Sequence, residues 1–319
     1  MRSGETTKMM TRLRDVDPIG TAQTVGIVGG TGFIGTRITR AFEKAGWNTK
    51  VFTLESPVLR ADGAVSQVVE DLDVLVWSAS RNTPATAAAD PQSARDEYSE
   101  VAATLDAVKK IQPHIHGAFM SSGGTVYGDS ERSHREDELL VPDSPYACLK
   151  VDLENLFIEA LESSTVLRVA NAYGPGQGGQ NAQGVLAHWL PAILRGEPVS
   201  VFGNPHAARD YVYVDDIAEA VVQAVTVGQL ELGKNTFNIG SGHATSLESL
   251  LSIVREVTAR DIEVSYQAGR NFDLSTSCLD ITAITDRTDW HPRTDLATGI
   301  DAMWDWIVQT IPLDLEIHG

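Results

Sequence analysis

Residues 24–46 read Thr24-Val-Gly-Ile-Val-Gly-Gly-Thr-Gly-Phe-Ile-Gly-Thr-Arg-Ile-Thr-Arg-Ala-Phe-Glu-Lys-Ala-Gly46. The apolar run at the start predicts a buried strand of a parallel sheet. From Thr36 onward the apolar residues recur at helical spacing, and arginines and a lysine occupy the opposite side. A glycine-rich turn thus joins a strand to a helix, and this local arrangement decides in favour of an α/β fold.

The glycines of this turn permit a tight bend and a close approach of backbone to ligand. The following helix begins with unpaired N–H groups and the positive end of its dipole, which together suit the pyrophosphate of a dinucleotide. Further contacts are expected where later strands end and the chain passes the cofactor. The candidate cofactor-binding residues are Gly29, Thr31, Gly32, Phe33, Ile34, Gly35, Ala79 and Ser121.

Predicted strands and helices alternate through the first 170 residues, which indicates a doubly wound parallel sheet of the Rossmann-like α/β class. After Asn171 the sequence becomes rich in Gly, Gln and Asn and then mixes short elements, so we expect a smaller C-terminal substrate domain. The predicted organisation is a polar N-terminal extension over 1–23, a dinucleotide-binding domain over 24–170 to which 210–240 returns, and a substrate-binding portion over 171–209 and 241–319.

Tyr146 and Lys150 lie four residues apart in a predicted helix that Ser144 and Pro145 begin. Residues at this spacing share one helix face, so both side chains point into the same site. A lysine cation beside a phenol is expected to lower the pKa of the phenol towards working pH. Such a tyrosine takes a proton from a sugar or alcohol hydroxyl while hydride leaves the adjacent carbon.

Composition restricts the partners. The 319 residues carry a net charge of −18, which argues against nucleic acid as a partner because phosphate backbones require a basic surface. The two cysteines, Cys148 and Cys278, suggest neither a metal cluster nor a disulfide framework, and Cys148 is expected to be buried. We predict no metal, no membrane segment and no signal peptide, and hence a cytoplasmic location.

Several blocks of sequence, in order, resemble the extended short-chain dehydrogenase/reductase family. Within it the chain is similar to the nucleotide-sugar epimerase/dehydratase group typified by UDP-galactose 4-epimerases, over roughly residues 24 to 310. The blocks are Gly29-Gly-Thr-Gly-Phe-Ile-Gly35, Ser121-Ser-Gly-Gly-Thr-Val-Tyr-Gly128, Ser144-Pro-Tyr146 with Lys150, Leu167-Arg-Val-Ala-Asn-Ala-Tyr-Gly-Pro-Gly176, Arg209-Asp-Tyr-Val-Tyr-Val-Asp-Asp216, Phe237-Asn-Ile-Gly-Ser-Gly242 and Trp290-His-Pro292.

The resemblance implies roles for individual residues. Tyr146 is the expected catalytic base, and Lys150 the expected partner that tunes it and binds the nicotinamide ribose. The implied partner is a nucleotide-diphosphate sugar. Its expected contacts are Asn171 at the sugar or phosphate, Val201 and Phe202 at the nucleobase, Arg209 and Arg270 at the diphosphate, and Asp273 near the ribose. Paired arginines suit a diphosphate because guanidinium binds phosphate oxygens bidentately.

One departure from the family pattern concerns the hydroxyl that relays the proton. The usual Ser or Thr is replaced by Gly123. We predict that Thr125, or failing that Ser122, takes its place, and direct action of Tyr146 is the alternative. Dehydratases of the family carry an Asp-Glu pair at the positions of Gly124 and Thr125, and decarboxylases a nearby glutamate. Both reactions are therefore disfavoured.

A second departure lies at the end of the second predicted strand, where an acidic residue normally accepts the ribose hydroxyls of NAD. Thr53 occupies this position, and Glu55 is the alternative if the strand is offset. With Arg60 near a 2′-phosphate, NADP is possible, although NAD is preferred. Residues 54–72 are also too few for a strand that the family usually has here.

These observations favour an NAD-dependent nucleotide-sugar 4-epimerase, in which C4 is transiently oxidised, the keto sugar rotates and the ketone is reduced again, with Tyr146 as base. An NADPH-dependent nucleotide-sugar 4-ketoreductase is the alternative, which the missing ribose acid favours. A cofactor-sensing binding protein is a third reading, opposed by the intact Tyr146 and Lys150. The resemblance also implies a homodimer through a four-helix contact that includes the Tyr146 helix.

Overall fold

A computed structural model describes residues 22–130, 132–178, 183–268 and 276–311. Its main sheet consists of six parallel strands, β1 (Thr24–Val28), β2 (Asn48–Phe52), β3 (Val74–Trp77), β4 (His116–Ser122), β5 (Ser163–Val169) and β9 (Lys234–Ile239). Their spatial order is β2-β1-β3-β4-β5-β9. The order reverses between β1 and β3, and such switch points are where open α/β sheets bind ligands.

Helices cover both faces of this sheet, which confirms the predicted doubly wound fold. They are α1 (Phe33–Lys44), α2 (Pro84–Ala89), α3 (Pro91–Ile111), α4 (Gly123–Val126), α5 (Pro145–Ala160), α6 (Val185–Arg195), α7 (Val214–Glu231), α8 (Leu247–Thr258), α9 (Thr282–Arg287) and α10 (Leu296–Thr310). Apolar residues of α1 and α7 form one buried cluster with the sheet, and those of α3 and α5 form a second. No helix in the described ranges has both the length and the apolar character needed to cross a membrane.

In the smaller part of the molecule, the described residues form the short strands β6 (Asn171–Tyr173), β7 (Val199–Phe202), β8 (Ala208–Tyr213), β10 (Ala244–Ser246), β11 (Val264–Gln267) and β12 (Thr276–Ser277). Strand β8 pairs with β6, β10 and β12, and β7 pairs with β11. A third buried cluster holds α6, α8 and α10 together. This part supplies a wall next to the carboxyl ends of β4 and β5, because β6 follows β5 directly in the chain.

Among the residues that the structure describes, β2 is the edge strand of the main sheet, and no neighbouring strand lies beyond it, as the short stretch 54–72 predicted. Between β2 and β3 the chain forms only a single bridge, Leu59 with Val65, and a 3₁₀ turn over Gln67–Asp71. The side chains of β2 are mostly solvent-accessible, and Leu54 just beyond it is 77% exposed. The adenosine side of the expected cofactor site is therefore open.

A buried ion pair joins α5 to β5. Arg168 Nη2 lies 2.7 Å from Glu154 Oε2, and the two side chains are 8% and 2% exposed. Ser121 also donates to Glu154, and Arg168 Nη1 donates to the Tyr127 hydroxyl at 2.8 Å. Charges removed from water in this way require such compensation, since the loss of one partner leaves the other buried and unpaired.

We predict that Arg168→Met lowers the free energy of unfolding by about 3–5 kcal/mol, because Glu154 would remain buried without its cation. The matched control is Lys110→Met, which removes an exposed ion pair with Asp106 (2.6 Å); exposed pairs contribute less than about 1 kcal/mol. Urea titrations of both variants provide the measurement. Equal midpoints would contradict a stabilising role for the buried pair.

Candidate active site

The glycine turn between β1 and α1 has the shape of a pyrophosphate cradle. Gly29 has φ +81°, which favours glycine. A Cβ on Gly35 would lie 2.0 Å from the carbonyl oxygen of Gly29, so this position excludes any side chain. No side chain caps the start of α1 at Gly32, which leaves the first N–H groups directed at a ligand. Thr31, Phe33 and Ile34 belong to the same turn, so the geometry fits a dinucleotide.

The adenosine end of this site lacks a ribose-binding acid at the first position after β2. Thr53 stands there, and its hydroxyl donates to Glu55 Oε2 at 2.8 Å. This hydrogen bond is the main cause that lowers the pKa of the exposed Glu55 carboxyl. Thr53 and Glu55 are thus neighbours at the end of β2, so both predicted alternatives lie at one place. Arg60 is exposed and pairs with Asp62 at 3.6 Å.

Tyr146 and Lys150 are brought together by the first turns of α5, as predicted. Ser144 begins the helix, since its hydroxyl accepts a hydrogen bond from Ala147 N at 3.2 Å. Lys150 Nζ lies over the Tyr146 ring, 5.5 Å from the centroid, and donates to Met120 O at 3.2 Å. Lys150 is therefore fixed between its own helix and strand β4.

The predicted lowering of the Tyr146 pKa by Lys150 is wrong. Burial raises the pKa of the phenol above its ordinary range, the Glu97 carboxylate raises it further, and a hydrogen bond with the Ser122 hydroxyl opposes both. Burial also lowers the pKa of Lys150 to about 8, while Glu97 and Glu154 raise it. The phenol is therefore protonated and the amine is an ammonium at neutral pH. This state is ready to donate a proton to a carbonyl oxygen.

Gly123, at the position of the family's usual relay hydroxyl, lies where there is no space for a side chain. A Cβ on Gly123 would lie 2.6 Å from Leu279 Cδ1 and 2.9 Å from the Arg168 carbonyl oxygen. Ser122 instead lies close enough to Tyr146 for its side chain to lower the pKa of the phenol. Thr125 Oγ1 donates to Ser122 O at 3.3 Å. Of the two predicted relay residues, the geometry favours Ser122, the second choice of the sequence analysis.

Asn171 and Arg209 are the predicted substrate contacts on the paired strands β6 and β8. Asn171 Nδ2 donates to Asp210 O at 3.0 Å and would lie 3.5 Å from a Cβ at Gly124, so Asn171 faces the relay segment. Arg209 lies on β8, two residues before the partner of Asn171 in the β6–β8 pairing.

On β7 the Val201 side chain belongs to the buried core, whereas Phe202 is 39% exposed. A nucleobase could therefore contact the Phe202 side chain, but only the backbone of Val201. Arg270 and Asp273 lie outside the described residues.

Two buried carboxylates near Lys150 were missed by the sequence analysis. Glu154 lies four residues after Lys150 on α5, a spacing that could have revealed it. Glu97 comes from α3, and nothing in the sequence links it to the site. Ser121, predicted to contact the cofactor, points its hydroxyl at Glu154. Among the residues that the structure describes, no group of three or more His, Cys, Asp or Glu side chains could hold a metal ion.

Comparison with known proteins places this site in a family. The model of the NAD dependent epimerase/dehydratase family matches residues 25–240. The chain belongs to this family. The assignment confirms the resemblance inferred from the sequence and, at the level of the family, an NAD-dependent enzyme of the extended short-chain dehydrogenase/reductase type.

Individual relatives differ in activity. The chain is 34% identical to the UDP-glucose 4-epimerase of Mycolicibacterium smegmatis over 62% of either chain. It is 32% identical to the dTDP-4-dehydro-6-deoxyglucose reductase of Escherichia coli over 58% of this chain and 59% of the relative. These alignments span about three fifths of either relative's length. The crystal structure of the Thermotoga maritima UDP-glucose 4-epimerase with UDP-glucose superposes with a TM-score of 0.75 at 28% identity, covering 90% of this chain and 99% of that one.

Proposed function

We propose that this protein is an NAD-dependent nucleotide-sugar 4-epimerase. The observation that carries the proposal is the group of Ser122, Tyr146 and Lys150 at the carboxyl end of β4, in a segment where Gly124 and Thr125 replace the acid pair of a dehydratase. The glycine turn at Gly29–Gly35 accommodates the pyrophosphate of the cofactor. When bound, NAD supplies a reversible two-electron acceptor.

The chain's own residues perform the proton chemistry. Tyr146 takes the proton from the sugar O4 as C4 is oxidised to a ketone, and Ser122 relays it. This step requires the Tyr146 phenolate, which burial and Glu97 disfavour. We propose that the Lys150 ammonium, 5.5 Å from the ring centroid, offsets part of that cost when substrate and cofactor are bound. After the keto sugar has turned its opposite face to the cofactor, Tyr146 returns the proton to O4. Asn171 and Arg209 orient the sugar and the diphosphate, and we propose that Phe202, Val201, Arg270 and Asp273 complete the nucleotide site.

A 4-ketoreductase with exchangeable NADPH is the second candidate. Thr53 in place of the ribose acid and the open edge at β2 favour it, because both weaken the hold on the adenosine half of a resident cofactor. The protonated Tyr146 also suits a reaction that begins with a ketone. Nucleotide-diphosphate sugars are the substrates in either case, and a cytoplasmic location remains a prediction.

The two functions differ in what the purified protein carries. For the epimerase we expect stoichiometric NAD on denaturation, identified by mass spectrometry, and interconversion of UDP-glucose and UDP-galactose without added cofactor. An epimerase recycles its cofactor internally, so no net oxidation occurs. Loss of NADPH on addition of a UDP-4-keto-6-deoxysugar, with no resident dinucleotide, would refute the epimerase and support the ketoreductase.

The relay assignment is tested by substitution. Tyr146→Phe is expected to lower turnover by about two or more orders of magnitude with NAD binding retained, because acid–base catalysis is lost. Ser122→Ala is expected to lower turnover at least about tenfold, and Thr125→Val, its matched control, to leave turnover within about twofold. The measurement is the initial rate at saturating UDP-galactose.

If turnover fell further in Thr125→Val than in Ser122→Ala, Thr125 rather than Ser122 would be the relay residue. Gly123→Ser is expected not to restore a relay, since the new side chain meets Leu279 and the Arg168 carbonyl. A rate increase in Gly123→Ser would contradict the geometry at this position.

We further propose a homodimer through α3 and α5. A groove of about 540 Å³ lies between these helices, and it is lined by Pro91, Ala94, Arg95, Tyr98, Ser99, Pro145, Cys148, Leu149 and Asp152. Cys148 is exposed there, contrary to its predicted burial. A second copy of the same helices would cover these side chains.

Cys148→Glu is expected to shift the protein from dimer to monomer in sedimentation equilibrium, because two like charges would face each other across the symmetric contact. Ser252→Glu, at an exposed position of α8, is the matched control. A dimer that tolerates Cys148→Glu would place the interface elsewhere.

A further inference from the structure

Glu97 is a buried carboxylate whose hydrogen bonds all come from one neighbouring segment. Its side chain is on α3, and the residue is 5% exposed. Oε1 accepts from the Ser80 hydroxyl at 2.8 Å. Oε2 accepts from Arg81 N at 3.0 Å, from Asn82 N at 3.1 Å and from Asn82 Nδ2 at 2.9 Å. Four donors offset the cost of burying this charge, and they attach segment 80–82 firmly to α3.

The attached segment continues from residues that touch the glycine turn. Ala79 immediately precedes Ser80, and a Cβ on Gly29 would lie 2.9 Å from both the Cβ and the N atom of Ala79. Ser78 N donates to Val28 O at 3.0 Å. The position of segment 78–82 therefore defines one side of the space next to the cradle, and Glu97 holds its residues 80–82.

Helix α3, which carries Glu97, packs against α5, which carries Tyr146 and Lys150, in one buried cluster. The Glu97 charge raises the pKa of Lys150 and also that of Tyr146, so its direct effect on the phenol opposes the phenolate. Lys150 is surrounded by Glu97 from α3, by Glu154 and Tyr146 on its own helix, and by the Met120 carbonyl from β4. Both carboxylates raise the pKa of Lys150 against the effect of burial. Glu154 is already bound by Arg168, whereas the donors to Glu97 are uncharged hydroxyl and amide groups. The hydrogen-bond partners of Glu97 therefore include no cation, so its negative charge still favours the ammonium form of Lys150.

We infer that Glu97 is a positioning residue with two tasks, fixing segment 79–82 against the glycine turn and keeping Lys150 an ammonium. The first task concerns dinucleotide binding alone. The second rests on the proposed function, in which the ammonium supports the Tyr146 phenolate.

Two variants separate the tasks. In Glu97→Gln the amide oxygen can still accept from Arg81 and Asn82, and the amide nitrogen can donate to the Ser80 oxygen, so the tether stays while the charge is lost. In Glu97→Ala both are lost. Glu100→Gln is the control, since Glu100 lies one turn further along α3 and pairs with the Arg81 side chain while 49% exposed.

Removal of the negative charge favours the neutral amine, so in Glu97→Gln the pKa of Lys150 falls by about one unit. The alkaline limb of the turnover profile is expected to move to lower pH by the same amount, with KM unchanged. Heteronuclear NMR of lysine-labelled protein, assigned with Lys150→Met, measures the same pKa without any substrate.

Glu97→Ala is expected to weaken NAD binding to the apoprotein about tenfold, measured by fluorescence titration, whereas Glu97→Gln and Glu100→Gln bind normally.

An unchanged Lys150 pKa in Glu97→Gln, together with parental NAD affinity in Glu97→Ala, would overturn the inference and leave Glu97 as a packing residue. The NMR and NAD titrations do not depend on the sugar. If the unsubstituted protein turned over no nucleotide sugar, the proposed function would fail while these two measurements still decided the role of Glu97.

Discussion

The close contact between Gly35 and the carbonyl oxygen of Gly29 is the constraint on which the rest of the site depends. A side chain at Gly35 would push α1 away from β1, since its Cβ would lie 2.0 Å from the Gly29 carbonyl oxygen. This contact directs the start of α1 at the switch point of the sheet. Ala79, just after β3, limits the space on the other side of the turn, since a Cβ on Gly29 would lie 2.9 Å from its Cβ and N atoms. Catalytic groups then need only reach the same edge from β4 and α5.

Much of this arrangement could be predicted because it is encoded locally. The strand, turn and helix of residues 24–46 follow from apolar spacing and glycine placement. Tyr146 and Lys150 share a face because four residues nearly complete a helical turn. The absence of the strand next to β2 was also foreseeable, since 21 residues between Phe52 and Val74 leave no room for another helix–strand unit.

The rest depends on contacts between distant parts of the chain. Leu279 fills the space beside Gly123 from 156 residues away, so the sequence around Gly123 suggested a lost hydroxyl rather than an excluded one. The pKa of Tyr146 was predicted in the wrong direction because pairwise proximity to Lys150 was considered without burial. Desolvation is a property of the folded environment, and a spacing rule does not contain it. Glu97 could not be assigned to the site from the sequence, because only the packing of α3 against α5 brings it near Lys150.

Charges alternate along the buried path through Glu97, Lys150, Glu154 and Arg168. Each cation lies next to a carboxylate, so the path as a whole carries no net charge although the protein surface is strongly acidic. Burial weakens screening, and the protonation of Lys150 is therefore governed by these few neighbours rather than by the surface. Arg168 donates three hydrogen bonds to the Glu154 carboxylate and so offsets the charge with which Glu154 raises the pKa of Lys150. The carboxylate that remains to balance Lys150 is Glu97, which also binds the segment beside the cradle. In the proposed mechanism, one side chain would therefore serve both the protonation of Lys150 and the geometry next to the cofactor.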